Sequence, residues 1–100
     1  MISALIIDDD PGIQDMVSLA IELNWPNASV YTAADGMTGL DLARKHTPDV
    51  VILDLGLPDI DGLEVCVKLR AESTIPIVML TARDREIDIV KGLTLEPTTM

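Results

Sequence analysis

The sequence is poor in cysteine and in positive charge. Cys66 is the only cysteine among 100 residues, so neither an internal disulfide nor a cysteine-based zinc site is supported. Seven basic residues stand against 17 acidic ones, and the net charge of -10 disfavours binding to nucleic acid or to an anionic membrane. The apolar N-terminal run has no basic leader and ends in three aspartates, which argues against a signal peptide or a membrane span. We therefore expect a cytoplasmic protein that does not itself bind DNA.

Short apolar runs alternate with segments of helical period, which is typical of a single domain built from βαβ units. Four strands are predicted, at residues 4–7, 30–33, 50–55 and 75–80. The runs are continuously apolar, which favours parallel strands covered on both faces. Right-handed crossovers then give a doubly wound α/β sheet.

Four helices are predicted beside these strands, over residues 11–24, 35–45, 61–72 and 84–92. Pro11 suits the first turn of the first helix, and Asp35 and Asp61 are expected to cap the second and the third. The side chains predicted to face the core are Ile13, Met16, Val17 and Ala20 in the first helix, Leu40 and Ala43 in the second, and Val65, Cys66 and Leu69 in the third.

Carboxylates follow two of the predicted strands. Residues 8–10 are three aspartates after the first strand, and Asp54 ends the third, while Thr81 and the small Ala82 follow the fourth. The carboxyl ends of parallel strands lie on one rim, where crowded carboxylates are tolerable if a hard cation such as Mg²⁺ gathers them. A carboxylate beside such a cation is well placed to accept a phosphoryl group, and Thr81 can donate a hydrogen bond to a phosphoryl oxygen.

Three other aspartates are assigned structural roles. Asp10 is predicted to support the acidic pair Asp8 and Asp9 or to cap the first helix rather than to bind metal directly. Asp59 and Asp61 lie in a stretch of turn chemistry and are predicted to be turn and cap residues.

Other classes of phosphate-binding protein fit the sequence less well. A phosphatase of the haloacid dehalogenase kind needs a second acid two residues after its nucleophile, where this chain has Gly56. Three carboxylates after the first strand would repel the phosphate of a flavin, and a Walker-type lysine loop is absent from the sequence. A phosphorylation-independent interaction or dimerisation module remains as the alternative function.

Three motifs together resemble the receiver domains of bacterial response regulators: LIIDDDPG at 5–12, DVVILDLGLPDIDG at 49–62 and PIVMLTA at 76–82. The resemblance covers residues 2–93, so we assign an incomplete receiver domain at 1–93 and a tail at 94–100 that does not match the family. It implies a flavodoxin-like fold with strand order 2-1-3-4-5, phosphorylation by a sensor histidine kinase and dependence on Mg²⁺. Residues 83–93 look most like the branch of the family that carries a winged-helix DNA-binding domain, which acts in transcription regulation.

The resemblance also implies roles for individual residues. Asp54 matches the phosphoacceptor, and Asp8 and Asp9 match the acidic pair, with Asp9 the direct metal ligand. Gly56 stands where a backbone carbonyl completes the metal shell.

Two residues after the fourth strand complete this set. Thr81 matches the switch hydroxyl that contacts the phosphoryl group, and Ala82 matches the small residue whose backbone N–H lies beside the phosphate. By this resemblance the chain is not an enzyme, beyond self-phosphorylation and autodephosphorylation.

The sequence departs from the family pattern after Leu93. The family's fifth strand, its lysine and its fifth helix have no counterpart here, so the expected strand order is 2-1-3-4 and switching is expected to be impaired. The fourth strand would then be an exposed edge, and part of the inner face of the first helix would lose its cover. We expect this surface to be closed by a second copy of the chain, in a homodimer or a domain-swapped assembly.

Overall fold

The computed structural model describes residues 2–80 and the backbone of residues 87–90. Its elements are, in chain order, β1 (Ser3–Ile7), α1 (Pro11–Asn24), β2 (Ser29–Ala33), α2 (Gly36–His46), β3 (Val50–Asp54), α3 (Gly62–Glu72), β4 (Ile77–Leu80) and β5 (Ile87–Val90). The sheet has the order β2-β1-β3-β4-β5. The first four strands are parallel, which confirms the predicted α/β architecture and the predicted order 2-1-3-4.

The main hydrophobic core lies between the sheet and the pair of helices α2 and α3. Alternate residues of β1, β3 and β4 point into it, because successive side chains of a strand face opposite sides of the sheet. The two helices contribute the five side chains predicted for them, and both helices begin at the predicted capping aspartates. The buried residues of this core include Leu5, Ile7, Leu40, Ala43, Val51, Leu53, Val65, Cys66, Leu69, Ile77 and Met79.

The opposite face of the sheet is covered less completely. Helix α1 has no buried residue, and its half-buried stripe includes Ile13, Gln14 and Val17. The predicted inner positions Met16 and Ala20 are exposed, so the helix is turned differently from the prediction. The reason is polar: the side chain of Gln14 faces the sheet, where it binds backbone carbonyls.

The largest correction concerns the segment after β4. A helix was expected over residues 84–92, but residues 87–90 form β5, which pairs antiparallel with β4. Three of its four residues are isoleucine or valine, which favour strands, and an antiparallel partner needs only a short connection from Leu80. Strand β5 satisfies the main-chain groups that β4 would otherwise expose.

The sequence had suggested that strand β4 is an edge of the sheet. This prediction was wrong, because β5 lies next to β4. The family's parallel fifth strand does not occur within 2–80 or 87–90, and a fifth strand of opposite direction stands next to β4. The predicted homodimer through the edge of β4 loses its premise. None of the helices in the described part of the chain is both long and apolar enough to cross a membrane.

Candidate functional site

Parallel pairing of β1 with β3 brings the predicted acidic residues together. Ile7 and Leu53 are register partners, so Asp8 and Asp54 follow them side by side at the carboxyl end of the sheet. One carboxylate oxygen from each of Asp8, Asp9 and Asp54 lies within 4.8 Å of the other two. Asp8 and Asp54 are only 4% and 7% exposed, whereas Asp9 is open to solvent. The site is thus two buried carboxylates under one accessible carboxylate.

The electrostatics of Asp8 show that this negative charge is poorly compensated. Burial raises the pKa of its carboxyl group, the backbone N–H of Asp10 opposes that rise through a 2.9 Å hydrogen bond, and the nearby charges of Asp54, Asp9 and Asp10 raise the pKa further. A hard cation would relieve this repulsion, and carboxylate oxygens are the ligands that Mg²⁺ prefers. The donor set therefore fits the expected metal ion.

The turn from β1 into α1 holds the acidic pair from below. Asp10 caps α1 by accepting a 2.8 Å hydrogen bond from the N–H of Gly12, while its own N–H binds Asp8. Both structural roles predicted for Asp10 are therefore confirmed.

Gln14 is a contributor that the sequence analysis missed. Its side-chain amide donates to the carbonyl oxygens of Asp8 at 2.6 Å and of Ala33 at 3.3 Å. It thus ties α1 to the ends of β1 and β2, where the N–H of Asp8 also donates to the carbonyl of Ala33. Gln14 lies on the same side of α1 as Ile13 and Val17, which were predicted to face the core. A polar residue on that side could have indicated its contact with the sheet.

Two glycines lie beside Asp54, and of these Gly62 is the one whose packing leaves no room for a side chain. The N–H of Gly56 donates to Asp54 Oδ1 at 3.3 Å, and a Cβ at Gly56 would lie 3.8 Å from Asp54 Oδ2. A Cβ at Gly62 would lie 2.6 Å from the Cα of Leu55 and 2.7 Å from the carbonyl oxygen of Asp54. These distances are too short for any Cβ atom, so this position requires glycine. The first turn of α3 is therefore pressed against the end of β3.

The two remaining loop aspartates lie outside the acidic cluster. Asp61 caps α3 by accepting a hydrogen bond from the N–H of Leu63 at 2.9 Å, as predicted. Asp59 instead accepts from the N–H groups of Gly36 and Met37 at the start of α2, and these bonds lower its pKa. This contact with a neighbouring helix was not foreseen.

The structure leaves some of the predicted site residues untested. Thr81 and Ala82 lie outside the described residues. The carbonyl of Gly56 as a metal ligand stays a prediction, although the main chain of Gly56 does lie beside Asp54.

The chain is similar in sequence to proteins of one known family. The family model of the response regulator receiver domain matches residues 4–98. The transcriptional regulatory protein AfsQ1 of Streptomyces coelicolor is 45% identical over 93 residues, which are 93% of this chain and 40% of AfsQ1. The DNA-binding response regulator MtrA of Mycolicibacterium smegmatis is 44% identical over 89 residues, which are 89% of this chain and 38% of MtrA. The chain thus spans about 40% of the length of these relatives.

A solved structure gives the same result for the fold. The chemotaxis response regulator CheY4 of Vibrio cholerae superposes with a TM-score of 0.76 at 36% identity, over 84% of this chain and 71% of that chain. Sequence and fold therefore indicate the same family. The chain belongs to the response regulator receiver domain family.

Proposed function

We propose that this chain is a phosphoacceptor module in which Asp54 receives a phosphoryl group from the phosphohistidine of a sensor histidine kinase. The observation that carries the proposal is the convergence of Asp8, Asp9 and Asp54 within 4.8 Å at the carboxyl end of the sheet. Asp8, Asp9, Asp54 and the carbonyl of Gly56 would hold Mg²⁺. When bound, the ion would offset the negative charge of the phosphoryl group and of the carboxylates.

The proposed transfer needs one nucleophile and one leaving group. A carboxylate oxygen of Asp54 forms a bond to phosphorus, the P–N bond of the donor histidine breaks, and the freed imidazole nitrogen takes a proton. The N–H of Gly56 binds Asp54 Oδ1 and orients the carboxylate.

The relatives suggest what the module controls. AfsQ1 is named a transcriptional regulatory protein and MtrA a DNA-binding response regulator, and this chain corresponds to about 40% of each. We propose the same use in transcription regulation, with the receiver as the phosphorylated part in the cytoplasm. The charge of -10 supports a regulatory role rather than direct contact with DNA. Impaired switching, expected because these 100 residues hold no counterpart of the family's lysine, remains a prediction.

The test is incubation of the chain with Mg²⁺ and a small phosphodonor such as acetyl phosphate. We expect a mass increase of one phosphoryl group that is labile in base, in strong acid and to hydroxylamine, as an acyl phosphate is, and that is located on Asp54. Asp54→Asn should abolish the adduct. Asp10→Asn is the matched control, because asparagine also caps helices and residue 10 is not in the acidic cluster, so this variant should keep the adduct.

The alternative is a module that binds partners without phosphorylation. It is favoured by the exposed apolar side chains Met16, Leu19 and Leu23 on α1, which are 60%, 58% and 74% exposed. A chain that binds Mg²⁺ but gains no phosphoryl group at saturating donor would support this alternative and contradict the proposed function.

A further inference from the structure

The side chain of Asp59 joins the loop between β3 and α3 to the start of helix α2 by hydrogen bonds. Asp59 lies in this loop, and its two carboxylate oxygens accept separate hydrogen bonds from the N–H of Gly36, at 2.7 Å, and of Met37, at 2.9 Å. These are the first two N–H groups of α2, which have no acceptor within their own helix. A carboxylate is well suited to this position, because the N-terminal end of a helix carries partial positive charge.

Helix α2 already has a capping residue of its own. Asp35 accepts from the N–H of Thr38 at 2.7 Å, so two carboxylates share the free donors of one helix end. Of these two carboxylates, Asp59 is the one that comes from a distant part of the chain. The two contacts therefore have the same chemistry at the same helix end, but only the one from Asp59 restrains the loop.

The loop also packs directly against α2. A Cβ at Gly36 would lie 2.5 Å from Cγ1 of Ile60 in the loop and 2.9 Å from Cγ2 of Val65 in α3, so the backbone of α2 approaches both as closely as a glycine allows. The contact of Asp59 is part of a close interface and fixes the middle of the loop.

The same loop carries groups of the acidic site at its beginning. Gly56 binds Asp54 through its N–H, and at the other end Gly62 packs against the backbone of Leu55. Between these two ends, Asp59 hydrogen-bonds the loop to α2, beside the packing of Ile60 against Gly36.

We propose that Asp59 is a positioning residue that holds the β3–α3 loop so that the main chain of Gly56 meets the cation beside Asp54. The inference rests on the proposed function, because it assumes that Mg²⁺ binds at Asp8, Asp9 and Asp54. Asp59 does not touch the cation in this account. It acts by orienting the loop, as residues that contact metal ligands without binding the metal often do.

The test compares Mg²⁺ affinity in the wild-type chain, Asp59→Ala, Asp59→Asn and the matched control Asp35→Ala, by calorimetry well below the unfolding temperature. Loss of an outer contact commonly weakens metal binding by about 10- to 100-fold, and we expect about 10-fold for Asp59→Ala. Asp59→Asn keeps one acceptor oxygen and should recover part of the affinity. Asp35→Ala removes a cap from the same helix but leaves the loop attached, so it should lower the unfolding temperature and keep wild-type affinity.

Three outcomes would overturn the inference in distinguishable ways. Wild-type affinity in both Asp59 variants would show that the contact only stabilises the fold, while the proposed metal site would stand. An equal loss of affinity in Asp35→Ala and Asp59→Ala would assign the effect to α2 as a whole. A wild-type chain that does not bind Mg²⁺ would overturn the proposed function together with this inference.

Discussion

The acidic cluster should destabilise the protein when no cation is present, and Asp54→Asn should therefore stabilise it. Asparagine has nearly the same shape as aspartate and keeps an oxygen that can accept from the N–H of Gly56. The substitution removes the charge of Asp54 and leaves those of Asp8 and Asp9.

The magnitude follows from the distance between the carboxylates. Oxygens of Asp54 and Asp8 lie within 4.8 Å. Two unit charges at this distance repel by about 1 kcal/mol in water and by about 3 kcal/mol at the effective dielectric constant typical of protein sites. We expect Asp54→Asn to gain about 1–3 kcal/mol at neutral pH, which raises the unfolding temperature by about 4–8 °C for each kcal/mol.

The gain should depend on pH in a defined direction. The pKa of Asp8 is raised above its ordinary value of 3.8 in the folded state, by burial first and also by Asp54. The folded chain therefore binds a proton at Asp8 more tightly than the unfolded chain, so stability falls as pH rises from 3.8 through the raised pKa. Below that window Asp8 is protonated and no longer repels Asp54, so the advantage of Asp54→Asn should shrink.

Thermal unfolding with a chelator, at low salt and at several pH values, measures this effect. Asp15→Asn is the control for net charge, because Asp15 is exposed on α1, and it should change stability by less than about 0.5 kcal/mol. Added Mg²⁺ should stabilise the wild type by about 2.7 kcal/mol at 100 times its Kd, and the variant by less. A metal-free Asp54→Asn chain that is no more stable than wild type would refute the electrostatic reasoning.

Three further predictions concern contacts that stabilise the fold. Gly62→Ala should cost about 1–3 kcal/mol in urea unfolding, because its Cβ would meet the carbonyl oxygen of Asp54 at 2.7 Å, and an unchanged midpoint would show that this contact relaxes freely. Gln14→Met keeps the length of the side chain but removes its hydrogen-bond donor, so the free energy of unfolding should fall by about 1–3 kcal/mol. Wild-type stability would mean that water replaces the amide. Arg44→Ala breaks the half-exposed ion pair with Glu72 at 3.1 Å and should cost less than about 1 kcal/mol in the same assay, so a larger loss would contradict it.

Features with local signals in the sequence were predicted well. Asp35 and Asp61 each stand directly before a helix, and a short polar side chain before an apolar helical period is sufficient to indicate a cap. The parallel sheet then placed Asp8 and Asp54 at one edge, because neighbouring strands end together. The convergence of the acidic residues therefore followed from parallel strands, together with the strand order that the family resemblance implied.

Features that depend on contacts between distant segments were not predicted. Strand β5 forms because β4 offers an unpaired edge, and its helical interpretation rested on local pattern without that edge. Helix α1 is rotated because Gln14 binds carbonyls at the ends of two strands. Asp59 caps a helix that begins 23 residues earlier, and no local pattern reports such a contact.

The most direct test of the account is a Mg²⁺ titration followed by backbone amide NMR signals. We predict saturable one-to-one binding, with the largest shifts at Asp8, Asp9, Asp54 and Gly56, and loss of that binding in Asp9→Asn. Binding that does not saturate, or shifts spread over the acidic surface with none concentrated at these four residues, would contradict the claim that the strand ends form one cation site.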